Sequence, residues 1–409
     1  MTIKKRIKHS STKIITLFWI GSIVSGIMIG LNAPGFGTNW IGLVSFFPLL
    51  FILEQFYKKT HITFRKRCLV FSGFCWLTGI IASLIGGYWI TNSIHVFGHI
   101  PLFLSLLITG AGYGLEVGLQ LFVYFAIPLL CIRKLGKWEL MVRLSYVITI
   151  DQWYPRLIHW NYGGLTFSQF PFIEQAADII GSSGLILYSL GLQLLIIAWW
   201  RLKSNVKNLN IKKVENKFLK QALVAYLLLC ALSISYGVLR IQFINGNTNI
   251  QNSDSFLNVI AIQPNFSLED LSSNPELAHS KRKGNLDILF EDSNKYLSKL
   301  PKQTKEPTLL VWPESVFPLP FFKVKEARER VMNYAKEKNT SILFTTVDWE
   351  KTLNKKRFRG VSVLVGSNGE VIGRYDKIFL IPFGEMIPFS HIFPELASWL
   401  RNNISNMSE

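Results

Sequence analysis

The chain has 409 residues, 49% of them apolar and 17% charged, and its formal net charge is +18 at pH 7. Residues 1–240 hold 23 Lys and Arg against 7 Asp and Glu, whereas residues 241–409 hold 21 against 19. The basic residues of the first part lie between apolar runs and not on one polar surface, so the charge argues against a nucleic-acid-binding protein.

Residues 1–240 are dominated by apolar runs, each long enough to cross a hydrocarbon core of roughly 30 Å. A weaker run, 138–154, is interrupted by Glu139, Arg143 and Asp151. Charged side chains in a bilayer must face a protein interior or an interface. The sequence therefore predicts a polytopic membrane domain over 1–240 with about seven transmembrane helices. The six stronger runs are 14–31, 40–56, 69–90, 101–131, 172–200 and 220–239.

Basic clusters alternate with almost uncharged loops along this domain. Lys and Arg gather in residues 4–13, 58–67, 133–137 and 201–220. Because basic loops stay in the cytoplasm, the pattern predicts a cytoplasmic N-terminus and requires a crossing at 138–154. The first run is interpreted as an uncleaved anchor, and the second half of the chain is expected to face outwards.

The second half of the chain has the pattern of an α/β domain. Residues 241–255 are polar and Asn-rich and are interpreted as a linker to a domain over 256–409. Apolar β-branched runs alternate there with amphipathic segments, and Asn368-Gly369 predicts a hairpin with a tight primed turn. We therefore expect a two-layer α/β sandwich. Strands are predicted at 256–265, 308–312, 341–349, 360–366 and 370–377, and helices at 276–300 and 323–338.

Three charged residues of this domain are candidates for an active site. Glu314 follows a predicted strand and a Trp-Pro pair, which favours a buried general base, although an ordinary loop glutamate is the simpler interpretation. Lys377 follows a hairpin strand, where an exposed lysine is also common. Glu385 lies in a turn framed by proline and glycine, and such turns are often only structural. Each residue alone is a weak signal.

Taken in order, these segments resemble a known family. QPN (263–265), VWPES (311–315) and the YDK and PFGE-x-x-P blocks of 375–388 follow a membrane bundle. In this order they resemble the apolipoprotein N-acyltransferases, membrane members of the nitrilase (carbon–nitrogen hydrolase) superfamily. GFCWLTG (73–79) and PFIEQAADIIGSSGL (171–185) resemble elements of the family's membrane half. The resemblance covers essentially the whole chain.

The resemblance implies a nitrilase-like αββα sandwich after the membrane bundle, with a Glu-Lys-Cys triad. Glu314 would be the general base, Lys377 would stabilise the thiolate and the developing oxyanion, and Glu385 would hold the lysine in place. The implied reaction moves an acyl chain from a phospholipid, through a cysteine thioester, to the α-amine of the diacylglyceryl-cysteine of an apolipoprotein. No metal, nucleotide or other cofactor is expected. The implied location is the bacterial inner membrane, with the α/β domain on the periplasmic side.

The cysteine of that triad is missing from the chain. The four cysteines, Cys68, Cys75, Cys131 and Cys230, all belong to the predicted membrane domain. Cysteines in such places are usually inert apolar residues, and none is expected to reach an outward-facing Glu314. We therefore expect an α/β domain that is truncated before its nucleophile and a chain that is inactive by itself.

Two other functions remain open on the sequence. A non-catalytic membrane homologue that binds lipid or lipoprotein would fit the missing thiol. The chain also differs from the family's pattern at Arg359-Gly360-Val361, which stands in place of a Tyr-Asn-Ser. This difference is likewise compatible with a non-catalytic homologue. A transporter with a soluble appendage is less favoured, because the spans lack a cluster of intramembrane charges, with Glu116 as one candidate.

Overall fold

The computed structural model of the chain divides into two units, Met1–Thr248 and Asn249–Glu409. The first unit is helical, and the second is built on a five-stranded sheet. The structure describes residues 19–58, 62–97, 100–132, 138–156, 162–205, 209–247, 256–266, 275–300, 306–314, 317, 319–352, 355–378, 380, 390–395 and 398.

The first unit is a bundle of helices joined by short connections. A 3-10 helix at Asn39–Leu43 precedes the second long helix. Two π-helical stretches, Ile108–Tyr113 and Phe122–Ala126, lie inside the fifth helix. The helices are α1 (Trp19–Leu31), α2 (Phe47–Tyr57), α3 (Phe64–Gly86), α4 (Tyr88–Phe97), α5 (Leu102–Cys131), α6 (Glu139–Trp153), α7 (Tyr162–Phe167), α8 (Pro171–Glu174), α9 (Ala177–Gly184), α10 (Ile186–Asn205) and α11 (Leu209–Asn247).

The length and apolar character of the helices make the chain a multi-pass membrane protein. The helix α1 is a shorter apolar helix, and the first residues of the predicted run 14–31 lie outside the described part of the chain. Among the described residues, five helical stretches are long and apolar enough to cross a membrane: Asn39–Tyr57, Phe64–Gly86, Leu102–Cys131, Ile186–Lys203 and Val214–Gly246.

The predicted run 172–200 is not one continuous helix. Its first part forms the short helices α8 and α9, and Gly181 inside α9 has φ +71° and ψ 165°. Glycine adopts a positive φ without steric cost, and this conformation breaks the helical path. The long helix therefore begins only at Ile186. The apolar pattern did not reveal the break, because glycine is frequent within transmembrane helices.

The weak run 138–154 forms α6, and its charged residues face the interior of the bundle as the sequence predicts. Glu139, Arg143 and Asp151 are all buried. Arg143 donates to Glu54 of α2 at 2.9 Å and to Glu139 at 3.2 Å. The helix has 15 residues, a length of about 22 Å. It is therefore shorter than each of the spanning stretches found in the described residues. Five such stretches are found there, whereas the sequence predicts about seven transmembrane helices in the whole domain.

Glycines allow α3 and α5 to pack closely against each other. A Cβ atom added to Gly79 would lie 2.4 Å from the carbonyl oxygen of Gly114. A Cβ atom added to Gly118 would lie 2.6 Å from Cα of Trp76. Small residues at such crossings let transmembrane helices approach until their backbones touch. This contact fixes the distance between two of the spanning helices.

The helix α11 extends further than the composition suggests. It ends at Asn247, so residues 241–247 of the predicted linker are helical. The apolar residues Ile241, Phe243 and Ile244 continue the pattern of the helix among the asparagines. The remaining linker residues, 248–255, lie outside the described part of the chain.

The second unit is a mixed sheet with two long helices. The strand order is the order of the chain, and the first three strands are parallel while the last two are antiparallel to their predecessors. The elements are β1 (Asn258–Ala261), α12 (Pro275–Leu297), β2 (Thr308–Val311), α13 (Lys325–Glu337), β3 (Ser341–Thr352), β4 (Lys355–Val365) and β5 (Val371–Asp376).

The predicted hairpin at Asn368-Gly369 is confirmed, but its turn is not of the predicted primed type, because such a turn needs a positive φ at both residues and Asn368 does not have one. Gly369 has φ +82°, a conformation that suits glycine. The side-chain oxygen of Asn368 accepts a hydrogen bond from the backbone N–H of Glu370 at 3.0 Å. The hairpin continues into the paired strands β4 and β5, so this local signal fixes the register of the sheet edge.

The two faces of the sheet differ in how well they are covered. On one face, Leu289 of α12 and Val331 of α13 are buried in a single core with Phe344 of β3. The described residues thus form a helix layer and a sheet layer, and a second sheet is not among them. The other face is apolar but only half-buried, at Leu309, Val311, Leu343 and Leu364.

Candidate active site

The register of the sheet places Glu314 and Lys377 at the same edge of the sheet, the one where β2 and β5 end. The strand β2 ends level with Leu343 of β3, and β5 ends level with Thr346 of the same strand. Glu314 lies three residues beyond the end of β2, and Lys377 lies one residue beyond the end of β5. The two strands run in the same direction, so both residues leave the sheet at its carboxyl end, where ligand sites of α/β folds are common.

The two side chains form an ion pair. Nζ of Lys377 donates to Oε1 of Glu314 at 2.9 Å. The strands β3 and β4 separate β2 from β5 by about 14 Å at the usual strand spacing. The contact therefore depends on the long lysine stem and on the departure of the chain from the sheet after Val311. It joins residues 63 positions apart in the sequence.

Glu314 is an exposed loop residue, as its simpler interpretation predicts, and not a buried base. Its side chain is 64% exposed, against 28% for that of Lys377. The indole of Trp312, two residues earlier, takes the buried position in the core, and Glu314 follows in a turn outside it. The pair therefore stands at the surface of the described part of this unit, with the lysine more enclosed than the carboxylate.

Gly360 of β4 supports the path of the lysine side chain. The backbone N–H of Lys377 donates to the carbonyl oxygen of Gly360 at 2.8 Å. A Cβ atom added to Gly360 would lie 3.5 Å from Cδ and 3.6 Å from Cβ of Lys377. The lysine stem thus lies over Gly360, on the side that leads across β4 towards Glu314.

Trp312 holds the chain in place just before Glu314. Its backbone N–H donates to the carbonyl oxygen of Leu343 at 2.9 Å. Its indole N–H donates to Oγ of Ser293 at 3.1 Å, so the buried indole has a partner as such groups require. The position of Glu314 therefore follows from the packing of the core two residues away.

The third candidate, Glu385, lies outside the described residues. Its contact with Lys377 stays a prediction. The described structure brings together two of the three candidate residues, Glu314 and Lys377.

A chain of ion pairs beside Lys377 was not foreseen from the sequence. Asp376 accepts hydrogen bonds from Arg374 at 2.9 Å and from Arg359 at 3.1 Å. The bond from Arg374 is the main cause that holds the pKa of Asp376 below its ordinary value. The available signal was the spacing of Arg374 and Asp376, which places both on one face of a strand. This charged ladder consists, in order of contact, of Lys323, Asp348, Arg374, Asp376, Arg359 and Glu350.

All four cysteines belong to the helical unit. Cys68 and Cys75 lie in α3, Cys131 ends α5, and Cys230 lies in α11. No cysteine occurs in the sequence of the second unit. The unit that carries Glu314 and Lys377 therefore brings no thiol of its own.

The arrangement supplies two of the three functions that acyl transfer through a thiol needs. An exposed carboxylate can accept the proton of an incoming thiol, and a positioned ammonium can stabilise the negative charge that develops on a carbonyl oxygen. The mutual contact of Glu314 and Lys377 orients both groups. A nucleophile is the missing part.

Comparison with known proteins points to one family. Residues 25–195 match the model described as the apolipoprotein N-acyltransferase N-terminal domain. The apolipoprotein N-acyltransferase of Geobacter metallireducens is 25% identical over 383 residues, covering 92% of this chain and 66% of the relative. That of Borreliella burgdorferi is 25% identical over 377 residues, covering 89% and 64%. That of Chlorobaculum tepidum is 24% identical over 418 residues, covering 94% and 67%.

The chain spans about two thirds of the length of these relatives. The domain match lies in the helical unit. The similarity to whole relatives continues into the second unit, since it covers about nine tenths of the chain. Both comparisons, the domain match over residues 25–195 and the similarity of the three relatives over about nine tenths of the chain, support an apolipoprotein N-acyltransferase.

Proposed function

We propose that the chain serves the N-acylation of apolipoproteins. In this reaction a cysteine thiolate attacks an acyl ester of a phospholipid, which releases the lysophospholipid and leaves a thioester. The α-amine of a diacylglyceryl-cysteine then attacks the thioester, which forms the amide and returns the thiol. The observation that carries the proposal is the 2.9 Å contact between Nζ of Lys377 and Oε1 of Glu314.

Each residue of the pair has a separate role in this proposal. Glu314 accepts the proton of the thiol, and its exposed carboxylate can be approached by a group from outside the described residues. Lys377 is held beside Glu314 and stabilises the thiolate and the oxyanion of each tetrahedral intermediate. Glu385 is proposed to hold the lysine ammonium from a second side.

The thiol must come from outside these 409 residues if none of the four membrane cysteines supplies it. The second unit contains no cysteine, and one face of its sheet is only half-buried at Val311, Leu343 and Leu364. A second sheet laid at the usual spacing of about 10 Å would cover that face. It would complete a nitrilase-like αββα sandwich, and it could carry a cysteine to the end of the sheet where Glu314 and Lys377 meet.

The membrane unit fits substrates that stay in the bilayer. Both the phospholipid donor and the diacylated apolipoprotein acceptor are held by their acyl chains. The alternation of basic clusters favours a cytoplasmic N-terminus and an outward-facing second unit. We therefore propose a multi-pass protein of the bacterial inner membrane, with the Glu314–Lys377 pair on the periplasmic side.

A second candidate function is supported by one specific observation. The unit that holds Glu314 and Lys377 has no thiol, which also suits a homologue that binds lipid or lipoprotein without acyl transfer. The two candidates differ in one outcome, the appearance of an amide-linked acyl chain on the lipoprotein.

The test uses the full chain in liposomes with phosphatidylethanolamine and a synthetic diacylated lipopeptide. Mass spectrometry of the lipopeptide reads the addition of one acyl chain. Three preparations are compared: the chain alone, the chain together with a separately expressed polypeptide that supplies the proposed second sheet and its cysteine, and the same pair with that cysteine changed to alanine.

The proposed function predicts the triacylated product only in the second preparation. Product from the chain alone would contradict a thiol from outside the 409 residues. If the lipopeptide binds but no preparation forms product, the non-catalytic function replaces the proposal.

A further inference from the structure

We propose that Asp376 is a positioning residue for Lys377, acting through the charged ladder on the opposite face of the sheet. The inference deepens the proposed function, because it concerns how the lysine of that site is held. It requires only that the Lys377 side chain be held in one position. The reactivity of that lysine measures this property without any acyl transfer.

Asp376 and Lys377 are neighbours in the chain but point to opposite faces of the sheet. Asp376 pairs with Val361, which is buried in the core under the helices. Lys377 lies over Gly360 instead. The carboxylate of Asp376 is therefore fixed on the helix-covered side, while the ammonium of Lys377 extends on the other side. Because the two residues share a peptide bond, fixing the Asp376 side chain also restricts the direction of the Lys377 side chain.

The end of β5 lies at the edge of the described sheet. It is the last strand in the sheet order, and within that sheet it pairs with β4. Lys377 stands one residue beyond the strand, where its backbone N–H bonds to Gly360. Ends of edge strands open more readily than strands in the core. The strand end that carries Lys377 therefore needs further contacts to stay in place. Asp376 provides two, its ion pairs with Arg374 and Arg359.

The charged ladder connects four parts of the unit through alternating charges. Asp376 joins Arg374 of its own strand to Arg359 of β4. Arg374 continues to the buried Asp348 of β3 at 2.8 Å. Lys323, in the segment before α13, then reaches Asp348 at 3.7 Å. Every acid in this middle part stands between two cations, so no charge is left unbalanced.

The ladder acts locally, because most of its members are partly exposed. The side chains of Arg359, Arg374 and Asp376 are each about one third exposed. Ion pairs of that exposure contribute little to global stability, but a network with good geometry can hold one strand end in register. The expected effect of removing Asp376 is therefore movement of Lys377, with little loss of fold.

The experiment labels lysines in the full chain in detergent with an acetylating reagent at one pH, and mass spectrometry gives the rate at each site. Lys325, which is 78% exposed, serves as the internal reference. Asp376→Asn is compared with Asp287→Asn, which removes a different ion pair of the same unit, to Arg330. Asp376→Glu tests rescue by a retained carboxylate.

The proposal predicts that labelling of Lys377 relative to Lys325 rises several-fold in Asp376→Asn. It should stay at the parent value in Asp287→Asn and return towards that value in Asp376→Glu. An unchanged Lys377 rate in Asp376→Asn, with far-UV circular dichroism intact, would overturn the proposal. An equal rise at every lysine would overturn it too, since that result means general unfolding.

If Asp376→Asn does not fold, Arg359→Gln decides, because it removes one of the two cations of Asp376 and leaves the other. A Lys377 rate equal to that of the parent in this variant would then count against the proposal. Failure of acyl transfer would leave these rates unaffected, so the positioning role and the proposed function can fail separately.

Discussion

Lys377 reaches Glu314 by passing over a strand position that carries no side chain. Gly360 has room for one methyl group, since its Cβ would make an ordinary contact 3.5 Å from Cδ of Lys377. A larger side chain would occupy the path of the lysine stem. The identity of residue 360 therefore controls whether the ion pair can form.

We expect Gly360→Ala to keep the pair and Gly360→Leu to separate it, because the leucine branch would fill the space over β4. The measurement is the acetylation rate of Lys377 relative to Lys325, which should rise in the leucine variant only. Equal rates in Gly360→Leu and the parent would show that the stem takes another path.

The acid sensitivity of this unit should depend on Asp376. Its pKa is lowered in the folded chain by the hydrogen bonds from Arg374 of β5 and Arg359 of β4. Ionised Asp376 therefore stabilises the fold above the ordinary aspartate pKa of about 3.9, and this contribution is lost as the pH falls through the lower pKa of the folded state. The nearby acids Asp348 and Glu350 belong to the same ladder.

The thermal midpoint of the parent in detergent should thus exceed that of Asp376→Asn by a small margin at pH 7 and at pH 5, and this difference should shrink as the pH falls below about 4. A difference that stays constant down to pH 3 would contradict the assigned cause. Asp287→Asn provides the control for loss of an ion pair elsewhere in the unit.

At the residue level, the sequence identified Glu314 and Lys377 only through the family resemblance. Each residue alone is an ordinary surface group, and their contact joins positions 63 apart. The contact depends on the register of four strands, which no local pattern reveals. The sequence left open whether Glu314 is buried, and it is exposed because Trp312 fills the core position next to it.

At the scale of helices and strands, backbone contact between α3 and α5 sets the geometry of the bundle. Gly79 is the tightest point, because a Cβ atom added there would lie 2.4 Å from the carbonyl oxygen of Gly114. Backbone atoms cannot move aside as a flexible side chain can. Gly73 lies on the same helix, but its added Cβ would meet only Trp19, at 3.8 Å.

We expect Gly79→Ala to destabilise the chain by about 1–3 kcal/mol or more through overpacking. Gly73→Ala should be close to neutral. The thermal midpoints of the two variants in the same detergent test this difference. Similar midpoints for both would show that α3 and α5 are less tightly packed than the structure indicates.

Element boundaries were predictable wherever a local cause sets them. The hairpin at Asn368-Gly369 follows from the sequence, because a glycine with positive φ and an asparagine side chain that accepts a backbone hydrogen bond both favour a turn. The break at Gly181 does not follow, because the same glycine could sit inside a straight membrane helix. The interior position of Asp151 followed from the cost of placing a charge in lipid.

For the whole molecule, the two units have different roles in the proposed function. The helical unit matches the family's N-terminal domain, and the sheet unit holds a base and a cation without a thiol. The apolar pattern separated these units, but it could not show that one sheet face would remain half-buried. That face gives a physical reason to look for a partner sheet that carries the cysteine.

The most direct measurement is the rate at which an acyl label from phosphatidylethanolamine becomes attached to protein in a hydroxylamine-sensitive bond. It is made on the chain assembled with the cysteine-bearing polypeptide, in the parent and in Glu314→Gln, Lys377→Met and Lys325→Met. General acid–base and electrostatic roles predict that each of the first two variants slows labelling by about 100-fold or more. Lys325→Met should match the parent. Labelling at the parent rate in Glu314→Gln and Lys377→Met would contradict the assignment of this pair to acyl transfer.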